Sequence, residues 1–277
     1  MNTATTIEEL RNERNQIKGI VGLVPTMGYL HPGHISLVEK ARSECDYVIV
    51  SIFVNPTQFA PSEDLSSYPR DLQQDFKYLE EAGTDLVWTP TDQIMYPHGY
   101  QTWITVDQLT QPLEGQFRPE HFRGVTTIVA KLFNVVQPQC AYFGQKDAQQ
   151  AAVIQRMIID LDFPINMVVC PIIREADNLA MSSRNAYLSD AQRKAATILS
   201  KSLFAAHRLY EEGERNATVL KESISQIVQS EPLANLQYVS CADPLSLQEV
   251  DKITSGALLS MAVYIGKTRL IDNILLK

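Results

Sequence analysis

The chain has 277 residues, 45% hydrophobic and 20% charged, which places it among ordinary globular proteins with length for one large domain or two modest ones. Its formal net charge of −8 argues against a broad nucleic-acid surface, so any anion it binds must meet a local positive site. The opening MNTATTIEEL lacks a basic stretch followed by an apolar one, and no apolar run approaches membrane-spanning length, so a cytoplasmic protein without a membrane partner is expected.

Thr5 or Thr6 followed by Glu8 and Glu9 predicts a capping box opening a helix to about Lys18. Apolar runs then alternate with helical spacing. Strands are predicted at 19–25, 46–54, 84–90, 102–106, 139–144 and 165–173, several apolar on both faces, with helices at 34–44, 69–83, 124–137 and 147–161. That rhythm implies a parallel sheet covered on both faces, hence an α/β fold with a Rossmann-like N-terminal domain over residues 1–172. After it come a polar loop, helices at 190–213 and 217–229, and short strands near 236–242, 256–265 and 268–276, a smaller α+β lid domain over 173–277. Cys45, Cys140, Cys170 and Cys241 lie in or beside apolar segments with no C-x-x-C pair, which suggests buried thiols.

Four stretches carry chemistry. In VPTMGYLHPGH (24–34), a strand ends at about Pro25, Gly28 turns the chain, and a helix starts near Gly33. This is the carboxyl edge of a parallel sheet, where ligands of open α/β folds bind, and a helix N-terminus there favours phosphate. His31 and His34 could donate to the charge that builds on phosphate oxygens. Two alternatives compete: the imidazoles only satisfy backbone groups of a tight turn, or they form a metal pair, for which no further His or Cys is placed nearby. In SIFVNPTQF (51–59), Asn55 and Gln58 are neutral groups suited to reading hydroxyls and a carboxylate, although Asn-Pro is also an ordinary turn signal. FGQKDAQQ (143–150) repeats strand, glycine and helix: Gly144 permits close approach to a base, Lys146 suits phosphates, Asp147 ribose hydroxyls, and Gln150 lies about a turn on; a plain helix cap by Asp147 is the rival. MSSRN (181–185) offers two hydroxyls and a guanidinium as a mobile anion clamp, or a solvated linker. Gly266-Lys267-Thr268 ends like a phosphate-binding loop, but Met261 stands where that pattern needs glycine, and a hairpin turn fits better.

In order along the chain, TMGYLHPGH, FVNPTQF, FRPEHFRGVTTIVAKLFNVVQP, FGQKDAQQ, LAMSSRNAYL and TRLIDN resemble the pantoate–β-alanine ligase (pantothenate synthetase) family. These are nucleotidyltransferases with an H-x-G-H signature, related to class I aminoacyl-tRNA synthetases. The resemblance implies that pantoate attacks the α-phosphorus of Mg-ATP to give pantoyl adenylate and pyrophosphate, and that β-alanine then displaces AMP. It implies a homodimer and no tightly bound organic cofactor, and leaves the Mg²⁺ ligands unknown. It further implies that Met27, Gly28, Tyr29, Leu30, His31, Pro32, Gly33 and His34 cradle ATP, with His34 the donor to its phosphates beside His31. Gly144, Gln145, Lys146, Asp147 and the backbone near Ile173 hold the nucleotide, while Met181, Ser182, Ser183 and Arg184 close over the phosphates. Gln58 and Gln150 hold pantoate, with Asn55 helping. Three positions depart from the family pattern: Ala60 and Asn178 where glycine is usual, and Ala148 where an aromatic is usual. The rivals are another adenylyl transferase on the same scaffold and a silent nucleotide-binding regulator.

Overall fold

A computed structural model describes residues 1–61 and 63–277. The chain begins with strand β1 (Asn2–Ala4) and helix α1 (Ile7–Gln16), whose capping box joins Thr6 to Glu9. There follow β2 (Val21–Thr26), α2 (Pro32–Glu44), β3 (Tyr47–Ile52), a 3₁₀ turn at Pro56–Gln58, α3 (Leu72–Glu81), β4 (Leu86–Trp88), and the short helices α4 (Asp92–Met95) and α5 (Glu114–Phe117). Then come α6 (His121–Val136), β5 (Cys140–Gly144), a 3₁₀ turn at Gln145–Asp147, α7 (Ala148–Asp160) and β6 (Asn166–Cys170). The six strands form one sheet, parallel throughout, in the order β1-β4-β3-β2-β5-β6.

Alternation along the strands feeds two cores. Leu23, Ile49, Leu86 and Trp88 face a cluster built with Val125, Val129, Phe133 and Ile154, while Val24, Val48, Val50 and Val87 face one built with Leu37, Val38, Ala41 and Leu79. Strands buried on both faces need crossovers on both faces, which is why the apolar runs show no polar alternation.

The chain divides into two compact units: Met1–Gly144 with Val153–Pro171, and Gln145–Ala152 with Ile172–Lys277. The sequence division at 172/173 leaves the excursion of 145–152 with the N-terminal part. In the second unit, a 3₁₀ turn (Ser183–Tyr187), α8 (Asp190–Ala195), α9 (Ile198–Glu211) and α10 (Ala217–Gln229) precede an antiparallel sheet β7 (Ala234–Ala242), β8 (Ala257–Ile265) and β9 (Thr268–Leu276). Leu199, Leu203, Leu220 and Ile224 pack on Leu259, Met261 and Val263 of that sheet. Gly266 (φ +60°) and Lys267 form the two-residue hairpin between Ile265 and Thr268, as the sequence suggests.

Several elements differ from expectation. Residues 102–106 form no strand: Ile104 N–H donates to Thr127 Oγ1 (3.0 Å) and its carbonyl accepts from Thr126 Oγ1 (2.6 Å), so α6 side chains take the place of a sheet neighbour. The helix expected over 190–213 breaks after Ala195. β1, at the sheet edge, has no counterpart among the expected strands, because three residues of Asn-Thr-Ala carry no apolar run. β2 ends one residue past Pro25, close to the expected end; the register with β5 covers only Gly22 and Leu23, so the missing N–H of Pro25 costs no ladder bond on that side. Cys45, Cys170 and Cys241 are buried free thiols, and Cys140 is partly exposed.

Candidate active site

In the first unit the carboxyl edge of β2 builds the first part. Thr26 Oγ1 donates to the Ser51 carbonyl (2.9 Å) and accepts from Gly28 N–H (3.3 Å). Gly28 (φ +80°) and Tyr29 (φ +52°) then turn the chain through two left-handed positions into α2. Pro32 at the first position of α2 loses nothing, since that N–H has no intrahelical partner.

His31 caps α2. Its Nδ1 accepts from Gly33 N–H (3.2 Å), and His34 Nδ1 accepts in return from His31 N–H (3.4 Å), with the ring centroids 4.0 Å apart. The backbone-satisfying alternative is therefore true of one nitrogen of each ring. An accepting Nδ1 carries no proton, so in the neutral imidazoles the proton sits on Nε2 and makes that nitrogen a donor. Among the described residues no group of three or more His, Cys, Asp or Glu is placed to hold a metal ion. The geometry suits donors to an anion at the helix N-terminus.

The turn rests on a residue that sequence reasoning does not single out. Asp75, on α3, is 2% exposed, and its two carboxylate oxygens accept from Tyr29 N–H (2.9 Å) and Leu30 N–H (2.7 Å). Burial raises its pKa, against the opposing pull of those two amides. An acid within a helix four residues after another acid reads as a solvated face; only the hydrogen bonds from α3 to the loop reveal it.

The 3₁₀ turn at Pro56–Gln58 brings Asn55 and Gln58 to the same unit. Asn55 is 1% exposed and fully engaged: Nδ2 donates to Gln58 Oε1 (3.1 Å) and the Gly124 carbonyl (3.1 Å), and Oδ1 accepts from Tyr96 OH (2.8 Å) and Thr57 Oγ1 (3.0 Å). Gln58 Nε2 reaches Met27 Sδ at 3.0 Å, which joins this turn to the histidine loop. Gly124 is required where it stands, because a Cβ there would lie 2.5 Å from the Thr57 carbonyl oxygen. The Gln58 carbonyl accepts from His121 Nδ1 (2.8 Å) and Arg118 Nη2 (3.3 Å), and Arg118 also forks onto Glu63 (2.6 and 2.9 Å). Burial lifts the Tyr96 hydroxyl to about 12 and, with Arg118, lowers His121 to about 4. Glu63 is pushed up by burial, but Arg118 outweighs that and holds it below the ordinary carboxylate range. A cavity of about 810 Å³ adjoins, lined by Met27, Phe53, Phe59, Arg70 and Asp75 among others.

In the second unit, Gln145, Lys146 and Asp147 form the turn after Gly144, which ends β5, and Gln150 lies in the first turn of α7 behind Ala148. Asn273 on β9, 3% exposed, grips that turn: Nδ2 donates to the carbonyls of Gln145 (3.0 Å) and Lys146 (2.9 Å), and Oδ1 accepts from Gln145 Nε2 (3.0 Å). Beside it, buried Asp272 accepts the fork of Arg174 (2.7 and 2.9 Å). Ile173 accepts from Met181 N–H (3.0 Å), closing a loop in which Asn178 adopts φ +70°, the left-handed turn expected of asparagine there. Ser182 caps the following 3₁₀ turn through Arg184 N–H (3.3 Å), and Ser183 is buried. Lys146, Ser182 and Asp272 line one recess of about 10 Å³, so two of the sequence-derived segments meet within this unit.

The pantoate-beta-alanine ligase family model matches residues 2–275. The pantothenate synthetase of Roseiflexus castenholzii is 55% identical over 277 residues, all of both chains, and that of Thermoanaerobacter pseudethanolicus 53% over 274 residues, 97% of each. Among solved structures, pantothenate synthetase from Thermus thermophilus matches with TM-score 0.95 at 44% identity over 99% of both chains. A Francisella tularensis pantoate-beta-alanine ligase complexed with beta-gamma ATP and beta-alanine matches with TM-score 0.80 at 36% identity, over 99% of this chain and 97% of that one. With a family model spanning nearly every residue and relatives above half identity over the full length, the chain belongs to the pantoate-beta-alanine ligase family.

Proposed function

We propose that this protein condenses pantoate with β-alanine in two steps. Pantoate displaces pyrophosphate from ATP to form pantoyl adenylate, and the β-alanine amine then attacks the activated carbonyl, releasing AMP. The observation that carries the reading is the family match along the chain, joined to a helix N-terminus bearing two Nε2–H donors at the sheet edge.

In this reading no side chain becomes a nucleophile. His31 and His34 donate to phosphate oxygens as charge builds, each well-placed donor contributing about 3 to 4 kcal/mol. Met27, Gly28, Tyr29, Leu30, Pro32 and Gly33 cradle ATP. Gly144, Gln145, Lys146, Asp147 and Ile173 bind the nucleotide, and Met181, Ser182, Ser183 and Arg184 neutralise its phosphates. Gln58 and Gln150 hold pantoate; Asn55, its amide engaged by protein groups, sets Gln58. Orientation of the two reactants supplies a further 7 to 11 kcal/mol, roughly.

Mg²⁺ enters with ATP, held by phosphate oxygens and water, a mode that needs no acidic cage from the protein. We also propose a homodimer joined through residues 101–106, whose strand-like sequence has no strand partner among the described residues and whose Trp103 is 40% exposed. No described helix is long and apolar enough to cross a membrane; the enzyme is proposed to work in the cytoplasm.

Exchange of labelled pyrophosphate into ATP tests the first step. It should require pantoate and Mg²⁺, and AMP should appear only when β-alanine is added. Exchange without pantoate, or with a phosphate acceptor in its place, would point to another adenylyl transferase, and binding without turnover to a regulator. Sedimentation of the protein at micromolar concentration tests the dimer.

A further inference from the structure

We infer that Asp75 is a positioning residue for carboxylate activation, clamping the Tyr29–Leu30 backbone in the left-handed turn that presents His31 and His34 at the start of α2. The inference rests on the function proposed above. Both carboxylate oxygens are spent on two successive backbone amides, at 2.9 and 2.7 Å, one on each. Gly28 and Tyr29 both take positive φ, +80° and +52°, and a tyrosine holds such a backbone only when its surroundings enforce it. Asp75 provides that enforcement from α3, a helix separate from the loop it holds.

The clamp is also closely fitted. A Cβ on Gly28 would lie 3.0 Å from Asp75 Oδ2 and 3.0 Å from Ile52 Cγ2, so any side chain at that position would press on the clamp. His31 begins immediately after the clamped amide of Leu30; its backbone N–H holds the His34 ring and its own ring accepts from Gly33 N–H. A displacement of the loop therefore reaches both rings together.

Asp75→Asn tests this, because an amide offers one acceptor and aims a donor at the second N–H. Amide hydrogen exchange followed by NMR should show Tyr29 and Leu30 protected in the wild type and freed in the variant, with Val24 and Val50 unchanged. The kcat for pantoate-dependent pyrophosphate exchange should fall about 10- to 100-fold while KM for pantoate stays unchanged. Tyr29→Gly added to Asp75→Asn should recover part of that kcat, since glycine adopts positive φ without strain. Asp71→Ala, which weakens α3 without touching the loop, should do none of this. If Asp75→Asn does not fold, Gly28→Ala disturbs the clamp from the loop side and should lower kcat in the same way. Unchanged protection of Tyr29 and Leu30, freed amides with undiminished kcat, or the same losses in Asp71→Ala would each overturn the inference. Absence of pantoate-dependent exchange in the wild type would instead refute the proposed function, and the amide protection alone would then decide the clamp.

Discussion

Asn55 Nδ2 donates to Gln58 Oε1 at 3.1 Å, and through that bond a buried side chain with no spare hydrogen-bonding group fixes the direction of one proposed to read substrate. With its oxygen held, Gln58 must present its Nε2 toward Met27. The pair thus divides two tasks, orientation and contact, between neighbours on one 3₁₀ turn.

Asn55→Ala is expected to remove the side-chain donor to the Gly124 carbonyl and one of the two partners of the Tyr96 hydroxyl, which keeps Thr57 Oγ1, at a cost of about 1 to 3 kcal/mol in stability. KM for pantoate should rise more than kcat falls. Urea denaturation and steady-state kinetics check the two parts separately.

His34→Ala should lower kcat for pyrophosphate exchange by about 10² to 10³. His31→Asn retains a side-chain oxygen to cap α2, so it should fold normally and still lose most of its activity. Circular dichroism melts beside exchange rates distinguish lost chemistry from lost structure.

Stability should depend on His121 at mildly acid pH. The unfolded ring takes a proton near 6.5 and the folded one only near 4, so the unfolded chain binds more protons between those values. Stability is therefore full above about pH 6.5 and falls as pH drops toward 4, by about 2 to 3 kcal/mol. His121→Gln, which can still donate to the Gln58 carbonyl, should flatten that part of the curve. Denaturation at pH 7 and pH 4.5 measures the difference.

Asn273→Leu removes three hydrogen bonds to the Gln145–Lys146 turn. KM for ATP should increase, with KM for pantoate nearly constant, and stability should drop by about 1 to 3 kcal/mol from the carbonyls left unpaired. Isothermal titration with ATP gives the direct reading.

The parallel sheet and the sites at its strand ends are legible in the sequence because those features depend on local signals: two-faced apolar runs, glycine turns and helix starts. Residues 102–106 have the same composition as a strand yet pair with hydroxyls of α6, a tertiary choice that composition does not carry. Asp75 and Asn273 are hidden for a related reason. Their partners lie 46 and 127 residues away, and nothing within a few positions of either marks it as more than a helix acid or a strand amide. The cap that His31 makes on α2 is legible only as the alternative in which the imidazoles satisfy backbone groups of the turn, since imidazole is rarely read as a capping group.

The grip of Asn273 on the Lys146 turn also sets an order of events during synthesis. At about 5 to 20 residues per second, the ribosome adds Asn273 roughly 6 to 25 s after Lys146, a separation of 127 residues. Through that interval the carbonyls of Gln145 and Lys146 lack the Asn273 amide. The Gln145–Lys146 turn is thus among the last parts of the nascent chain to mature, long after the histidine loop has its own supports. A half-made polypeptide would have the histidine turn clamped while the Gln145–Lys146 turn still awaits the strand that braces it.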